Sequence, residues 1–199
     1  MSKSPSSPKP VIFCGPSGVG KGTLIEMLMK KFPDNRFGFS VSHTTRSPRP
    51  GEVDGIHYNY TARDKMTKEI ENGKFIESAD VHGNMYGTSL SAVETVQNSG
   101  KICILDIDVQ GVVNVKKSTV MPYYIFVAPP SLEGLETRLR SRGTEKEEDI
   151  LKRMGNSRSE MEYGLTDGNF DKIIVNDDLE TAFTEMVKTF LDWYPHLKV

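Results

Sequence analysis

Residues 15–23, "GPSGVGKGT", are the stretch on which the reading of this chain turns. A phosphate-cradling loop asks for Gly, any four residues, then Gly-Lys and a Ser or Thr. Gly15, Gly20 and Lys21 meet the pattern, whereas Gly22 takes the hydroxyl position and Thr23 follows one place late. The preceding "PVIFC" is an apolar, strand-forming run, and the residues after the loop carry Leu24, Met27, Leu28 and Phe32 at helical spacing. A strand feeding a glycine-rich turn that opens a helix is the context in which such a loop works. There the backbone N–H groups curl around phosphate oxygens, and the helix N-terminus adds a favourable dipole. Gly15, Pro16, Ser17, Gly18, Val19, Gly20, Lys21, Gly22 and Thr23 are therefore the candidate ATP-binding loop, with Lys21 reaching the outer phosphates. A hydroxyl at position 22 would ligate Mg²⁺ directly. With Gly22 there, no direct protein ligand is expected, and Mg²⁺ is held through ATP oxygens and water. Thr23 lends a hydroxyl to the phosphate or to that hydration shell, because Mg²⁺ keeps its waters readily.

The rest of the chain narrows the class. Its 199 residues, 37% hydrophobic and 26% charged, are expected to form one domain with a substantial core. A net charge of −2 gives no general attraction to nucleic acid or anionic membranes, so neither is expected as a partner. No apolar run approaches the roughly 20 residues that span a bilayer. The start "MSKSPSSPKP" lacks the apolar stretch of a secretory signal, Met1-Ser2 does not fit N-myristoylation, and "HLKV" is no prenylation signal. A flexible tail over residues 1–9 and a cytoplasmic location are expected. Cys14 and Cys103 each lie inside an apolar run and read as buried reduced thiols. The four histidines show no metal-ligand spacing.

Short apolar runs alternate with amphipathic stretches, the pattern of an α/β fold with a parallel sheet flanked by helices. "PVIFC", "KICILDID", "YYIFVAPP" and "KIIVN" read as buried strands. A closing helix is expected to start near Asp177 as its cap, with Leu179, Phe183, Met186, Phe190 and Tyr194 on one face. Two segments break the rhythm. Residues 38–90 contain "FSVSHTT", "IHYNYTA" and "KFIESADVHG", short half-exposed strands around one polar helix, read as an inserted mixed α+β substrate module. Residues 138–164 are densely charged and read as a mobile helical arm, with Thr144 and Glu147 as a capping box.

Within the inserted segment, Arg46 and Arg49 lie three apart in a loop stiffened by Pro48 and Pro50, with Tyr58 nearby. Two guanidinium forks in a constrained loop suit a phosphate dianion. With these residues in hand, the chain resembles guanylate kinases from about residue 10 to residue 193. The resemblance is carried by "GPSGVGKGT", "FGFSVSHTTRSPRPGEVDGIHY", "GKFIESADVHGNMYGTS", "ILDIDVQG", "RLRSRGTEKEEDILKRM" and "IIVNDDL". It implies a phosphate-loop kinase core (10–37, 91–137, 165–199), a GMP-binding region (38–90) and a lid (138–164). It also implies Mg-dependent transfer of the ATP γ-phosphoryl group to GMP, with dGMP as a further acceptor and no obligate protein partner.

By that resemblance Ser42, Arg46, Arg49, Tyr58 and Tyr86 surround the GMP phosphate, and Glu77, Thr88 and Asp106, with Ser42, read the base. Guanine offers N1–H and an amino group as donors and O6 as acceptor, so carboxylates and a hydroxyl complement it. Adenine lacks both donors and would leave the carboxylates unpaired. Lys21, Arg49, Arg142 and Arg153 are the expected catalytic cations, and Arg138, Asn176 and Asp177 the expected ATP contacts away from the loop. Asp108 suits either hydrated Mg²⁺ or a helix cap. A guanylate-kinase-like scaffold that binds phosphopeptides without catalysis is the alternative. It typically lacks an intact loop and the lid arginines, and it adjoins PDZ or SH3 modules, none of which is read here. GTPases are set aside because no Asn-Lys-x-Asp-type guanine-reading segment occurs.

Overall fold

The computed structural model describes residues 7–32, 36–49, 51–81, 83–141 and 147–197. In chain order it forms β1 (Val11–Cys14), α1 (Lys21–Lys31), β2 (Phe37–Phe39), β3 (His43–Thr44) and β4 (Asn59–Tyr60). There follow α2 (Arg63–Glu71), β5 (Phe75–Val81), β6 (Asn84–Ser89), α3 (Leu90–Asn98), β7 (Ile102–Asp106) and α4 (Val109–Val115). The chain ends with β8 (Tyr123–Ala128), α5 (Leu132–Ser141), α6 (Glu147–Leu165), β9 (Lys172–Val175) and α7 (Leu179–Trp193). These elements form two compact units, one from Met1–Ile12 with Asn35–Pro122, the other from Phe13–Asp34 with Tyr123–Val199.

In the first unit β7 lies between β2 and β1, and β2 runs parallel to β7 from Phe37↔Ile102 to Phe39↔Ile104. A second sheet has the order β4-β3-β6-β5. Its β5–β6 pair is antiparallel and sets Glu77 opposite Thr88, after a register shift between Phe75 and Glu77. Polar α2 buries only Met66, which suits a helix lying over a small sheet. The run read as one strand, "FSVSHTT", is two. The Ser40 N–H reaches Ile104 O at 2.8 Å, at the end of the β2–β7 ladder, and His43–Thr44 then pairs in the other sheet. Residues 1–6 of the expected tail lie outside the described residues, and within the rest of it Pro8 O accepts from Gln97 Nε2 at 3.3 Å.

In the second unit β8 lies between β1 and β9, and β8 is parallel to β9 from Ile125↔Lys172 to Ala128↔Val175. The expected fold class, parallel strands flanked by helices, is the one observed. The strands of such a sheet are covered on both faces, which is why they read as unbroken apolar runs. Phe13 of β1 stacks on Phe190 of α7 with centroids 6.2 Å apart. The expected α7 face is present at Met186 and Phe190, with Ala182 and Thr189 buried beside them. Its cap is Asp178, not Asp177: the Asp178 side chain accepts the Thr181 N–H at 2.9 Å. The side chain one residue further on is the one that reaches the free N–H groups of the first turn. Thr144 lies outside the described residues, and α6 is described from Glu147. Both cysteines are buried free thiols, and burial pushes Cys103 up to about 12.

Gly164 marks where α6 meets the sheet, since a Cβ there would sit 2.1 Å from the Phe126 ring. Gly164→Ala is expected to destabilise the protein by about 1–3 kcal/mol through overpacking. Urea titration measures this, and an unchanged midpoint would contradict the packing described.

Candidate active site

The loop after β1 is a formed cradle within the second unit. Gly15 has φ 141°, and a Cβ there would lie 2.2 Å from Val127 O, so β8 excludes any side chain at that position. Gly20 has φ 98°, in the left-handed region, and hands the chain to α1. Lys21 Nζ donates to Gly15 O at 2.7 Å and Pro16 O at 3.4 Å, so its ammonium sits over the loop it opens. Arg153 on α6 donates to Ser17 Oγ. Arg138 on α5 donates through NH1 to Asn176 O at 2.7 Å and through NH2 to Asp177 O at 3.1 Å. Asn176, 5% exposed, turns its side-chain amide onto Val19 O at 2.7 Å. These bonds join expected donor-site residues to one another: Lys21 to Gly15 and Pro16, Arg153 to Ser17, Asn176 to Val19, and Arg138 to Asn176 and Asp177. Arg142 lies outside the described residues. A Cβ at Gly22 would meet nothing within 4 Å, so packing does not demand glycine there. Among the described residues no cluster of three His, Cys, Asp or Glu could hold a metal.

The other candidates gather in the first unit around β3, β6 and β7. Arg46 makes a forked pair with Glu52, NH1 to Oε2 at 3.0 Å and NH2 to Oε1 at 2.9 Å, both side chains largely buried. Glu52 also accepts the Arg49 N–H at 2.6 Å and the Tyr60 hydroxyl at 2.8 Å. The Arg46 pairing and the Arg49 N–H hold the Glu52 carboxyl down to about 2. The guanidinium stands 5.4 Å over Tyr58 and 6.0 Å over Tyr60. Tyr58 packs edge-on against Tyr86 at 5.9 Å, and burial raises the Tyr58 hydroxyl, keeping it a neutral donor. Nothing in the sequence reading singled out Glu52 or Tyr60. The signals were an acid three residues after Arg49 across a Pro-Gly turn, and period-two spacing from Tyr58 to Tyr60.

Glu77 on β5 is 7% exposed and faces Thr88, itself fully buried. Burial pushes the Glu77 carboxyl up to about 7, against the pull of hydrogen bonds from Thr88, and Asp108 adds to the rise. Ser42 and Thr88 hydroxyls lie 3.5 Å apart. A Cβ at Gly111 would come 3.0 Å from Glu77 Oε2, so that glycine in α4 leaves room for the carboxylate. Asp108 caps α4, accepting the Gly111 N–H at 2.7 Å. Asp106 ends β7, close enough to Tyr58 to raise its hydroxyl further.

A parallel strand, a positive-φ glycine cradle and a lysine at the mouth of the next helix define the phosphate-loop class of proteins. The guanylate kinase family model matches residues 7–193. Guanylate kinase 1 of Oryza sativa subsp. japonica is 57% identical over 180 residues, 90% of this chain and 47% of that protein. Guanylate kinase of Sus scrofa is 51% identical over 177 residues, 89% of each chain. The crystal structure of guanylate kinase from Anaplasma phagocytophilum matches with a TM-score of 0.68 and 28% identity, over 94% of this chain and 87% of that one. The chain spans about half the length of the two plant relatives it matches, at 47% and 46%. It belongs to the guanylate kinase family.

Proposed function

We propose that this chain transfers the γ-phosphoryl group of ATP reversibly to GMP, and to dGMP, in purine nucleotide metabolism, with Mg²⁺ entering on the nucleotide. The observation that carries the reading is the buried Glu77 carboxylate beside the Thr88 hydroxyl, in the unit that also holds the Arg46–Tyr58–Tyr86 cluster. Glu77 and Asp106 accept from guanine N1–H and the amino group, while Ser42 and Thr88 serve the O6 side. Arg46, Arg49, Tyr58 and Tyr86 take the phosphate. The nearly complete match to relatives named guanylate kinase supports the same assignment.

The attacking group is a phosphate oxygen, already anionic, so no general base is required. The chemistry is positioning and charge stabilisation. ATP phosphates replace the Gly15 and Pro16 carbonyls as partners of Lys21, and the backbone N–H groups of 15–23 bind the β- and γ-oxygens. Arg49, Arg142 and Arg153 stabilise the moving phosphoryl group, while Arg138 with the Asn176–Asp177 backbone borders the adenine. In this reading the core is 10–37, 91–137 and 165–199, the GMP-binding region 38–90, and the lid 138–164, whose closure keeps water from competing as acceptor. A cytoplasmic setting suits the two free buried thiols.

Incubation with γ-labelled ATP and GMP tests the reading. Label is expected in GDP. Label released only as inorganic phosphate, or no transfer, would contradict it.

Acidification is expected to weaken GMP binding. Guanine donors need the ionised carboxylate, whereas the free Glu77 titrates at about 7. The dissociation constant for GMP therefore rises as pH falls below 7, approaching about tenfold per pH unit. For stability the sign is opposite: the raised carboxyl favours the folded state most below about 4.5, and this contribution is lost as pH rises through 7. Calorimetric titration with GMP between pH 5.5 and 8 checks the first statement, and a flat profile would contradict it.

A further inference from the structure

We propose that the Asn176 side chain is a positioning residue for the phosphate cradle and not a reader of the donor base. The inference rests on the donor-site reading above. Its starting point is a chain of contacts within the second unit. The Asn176 N–H donates to Ala128 O at 2.8 Å, which fixes the residue at the exit of the β8–β9 ladder. Arg138 holds its carbonyl at 2.7 Å. Its side-chain amide, buried, is committed to Val19 O at 2.7 Å. Backbone and side chain alike are engaged inward.

What the last bond does follows from peptide geometry. The carbonyl of Val19 and the N–H of Gly20 belong to one planar trans peptide, so they point in opposite directions. Val19 is fully buried and sits between Gly18 at φ 89° and Gly20 at φ 98°. On the Gly20 side no side chain opposes rotation of that peptide, so its orientation needs a partner to fix it. Pinning the Val19 carbonyl outward on Asn176 aims the Gly20 N–H into the concave side of the loop, where phosphate binds. The fit is tight, since a Cβ on Gly20 would lie 2.5 Å from Asn176 Nδ2. Only a donor suits this position. Aspartate has the same shape, but its carboxylate would face the Val19 carbonyl oxygen and repel it.

Arg138 joins the device to α5. Its NH1 and NH2 bind successive carbonyls, of Asn176 and Asp177, so the backbone that borders the base and the side chain that shapes the cradle share one support. Base end and phosphate end of the donor site are mechanically one piece.

The test uses inorganic tripolyphosphate with Mg²⁺, a ligand with a phosphate chain and no base. Asn176→Asp and Asn176→Ala are titrated calorimetrically beside the parent protein, and the ratio of kcat/KM for ATP against ITP is measured. Both variants are expected to bind tripolyphosphate about tenfold more weakly, as loss of one buried hydrogen bond implies, with the ATP:ITP ratio unchanged. Parent-like tripolyphosphate binding overturns the inference, as does a changed ATP:ITP ratio, which would make the side chain a base reader. Failure of either variant to fold also counts against it, by assigning Asn176 to the core. If the parent itself does not bind tripolyphosphate, the donor-site reading fails and takes this inference with it, so the two failures are distinguishable.

Discussion

Lys21→Met is expected to lower kcat for ATP plus GMP about a thousandfold, with a much smaller change in the KM for ATP. In the proposed reading the nine-residue loop holds phosphate mainly through backbone N–H groups, and these survive the substitution. What is lost is the ammonium charge at the start of α1, held at Gly15 O and Pro16 O, 2.7 and 3.4 Å away. A neutral side chain of similar length leaves the ground-state complex standing but removes one of the charges that offset the transferring group. Arg153, which reaches Ser17 from α6, adds charge from another side but does not replace an ammonium at the start of α1. Steady-state rates from a coupled ADP assay measure the effect, and turnover within a fewfold of the parent would contradict the role.

Glu77→Ala is expected to cost about 10³–10⁴ in kcat/KM for GMP while ATP binding stays unchanged. A buried carboxylate raised to about 7 is held against its own solvation preference. Such a group makes sense where a ligand supplies donors to it. Folding gains nothing from the charge, so Glu77→Gln is expected to melt no lower than the parent at pH 8, although it too binds GMP poorly. Scanning calorimetry beside nucleotide titration separates the two. Equal losses for ATP and GMP would remove the base-reading role.

Legibility in the sequence followed the physics of each element. β1, β7, β8 and β9 were readable because buried parallel strands are continuous apolar runs, and the cradle because its glycines are spaced by backbone geometry. The α7 cap slipped by one residue because Asp177 and Asp178 are chemically identical neighbours, and only the local φ/ψ chooses between them. Glu52 was hidden because its partners, Arg46, Arg49 and Tyr60, converge through a turn that has no period. Asn176 was picked out by resemblance as an expected ATP contact, but its bond to Val19 O was not legible, since a contact across 157 positions leaves no local pattern. The split of "FSVSHTT" between two sheets was equally silent, because both halves carry the same alternation.

The measurement closest to the central claim compares kcat/KM for GMP and AMP at saturating MgATP. The account predicts that GMP is preferred by about 10⁴-fold, because AMP would leave Glu77 and Asp106 without donors. Comparable turnover of AMP would contradict it.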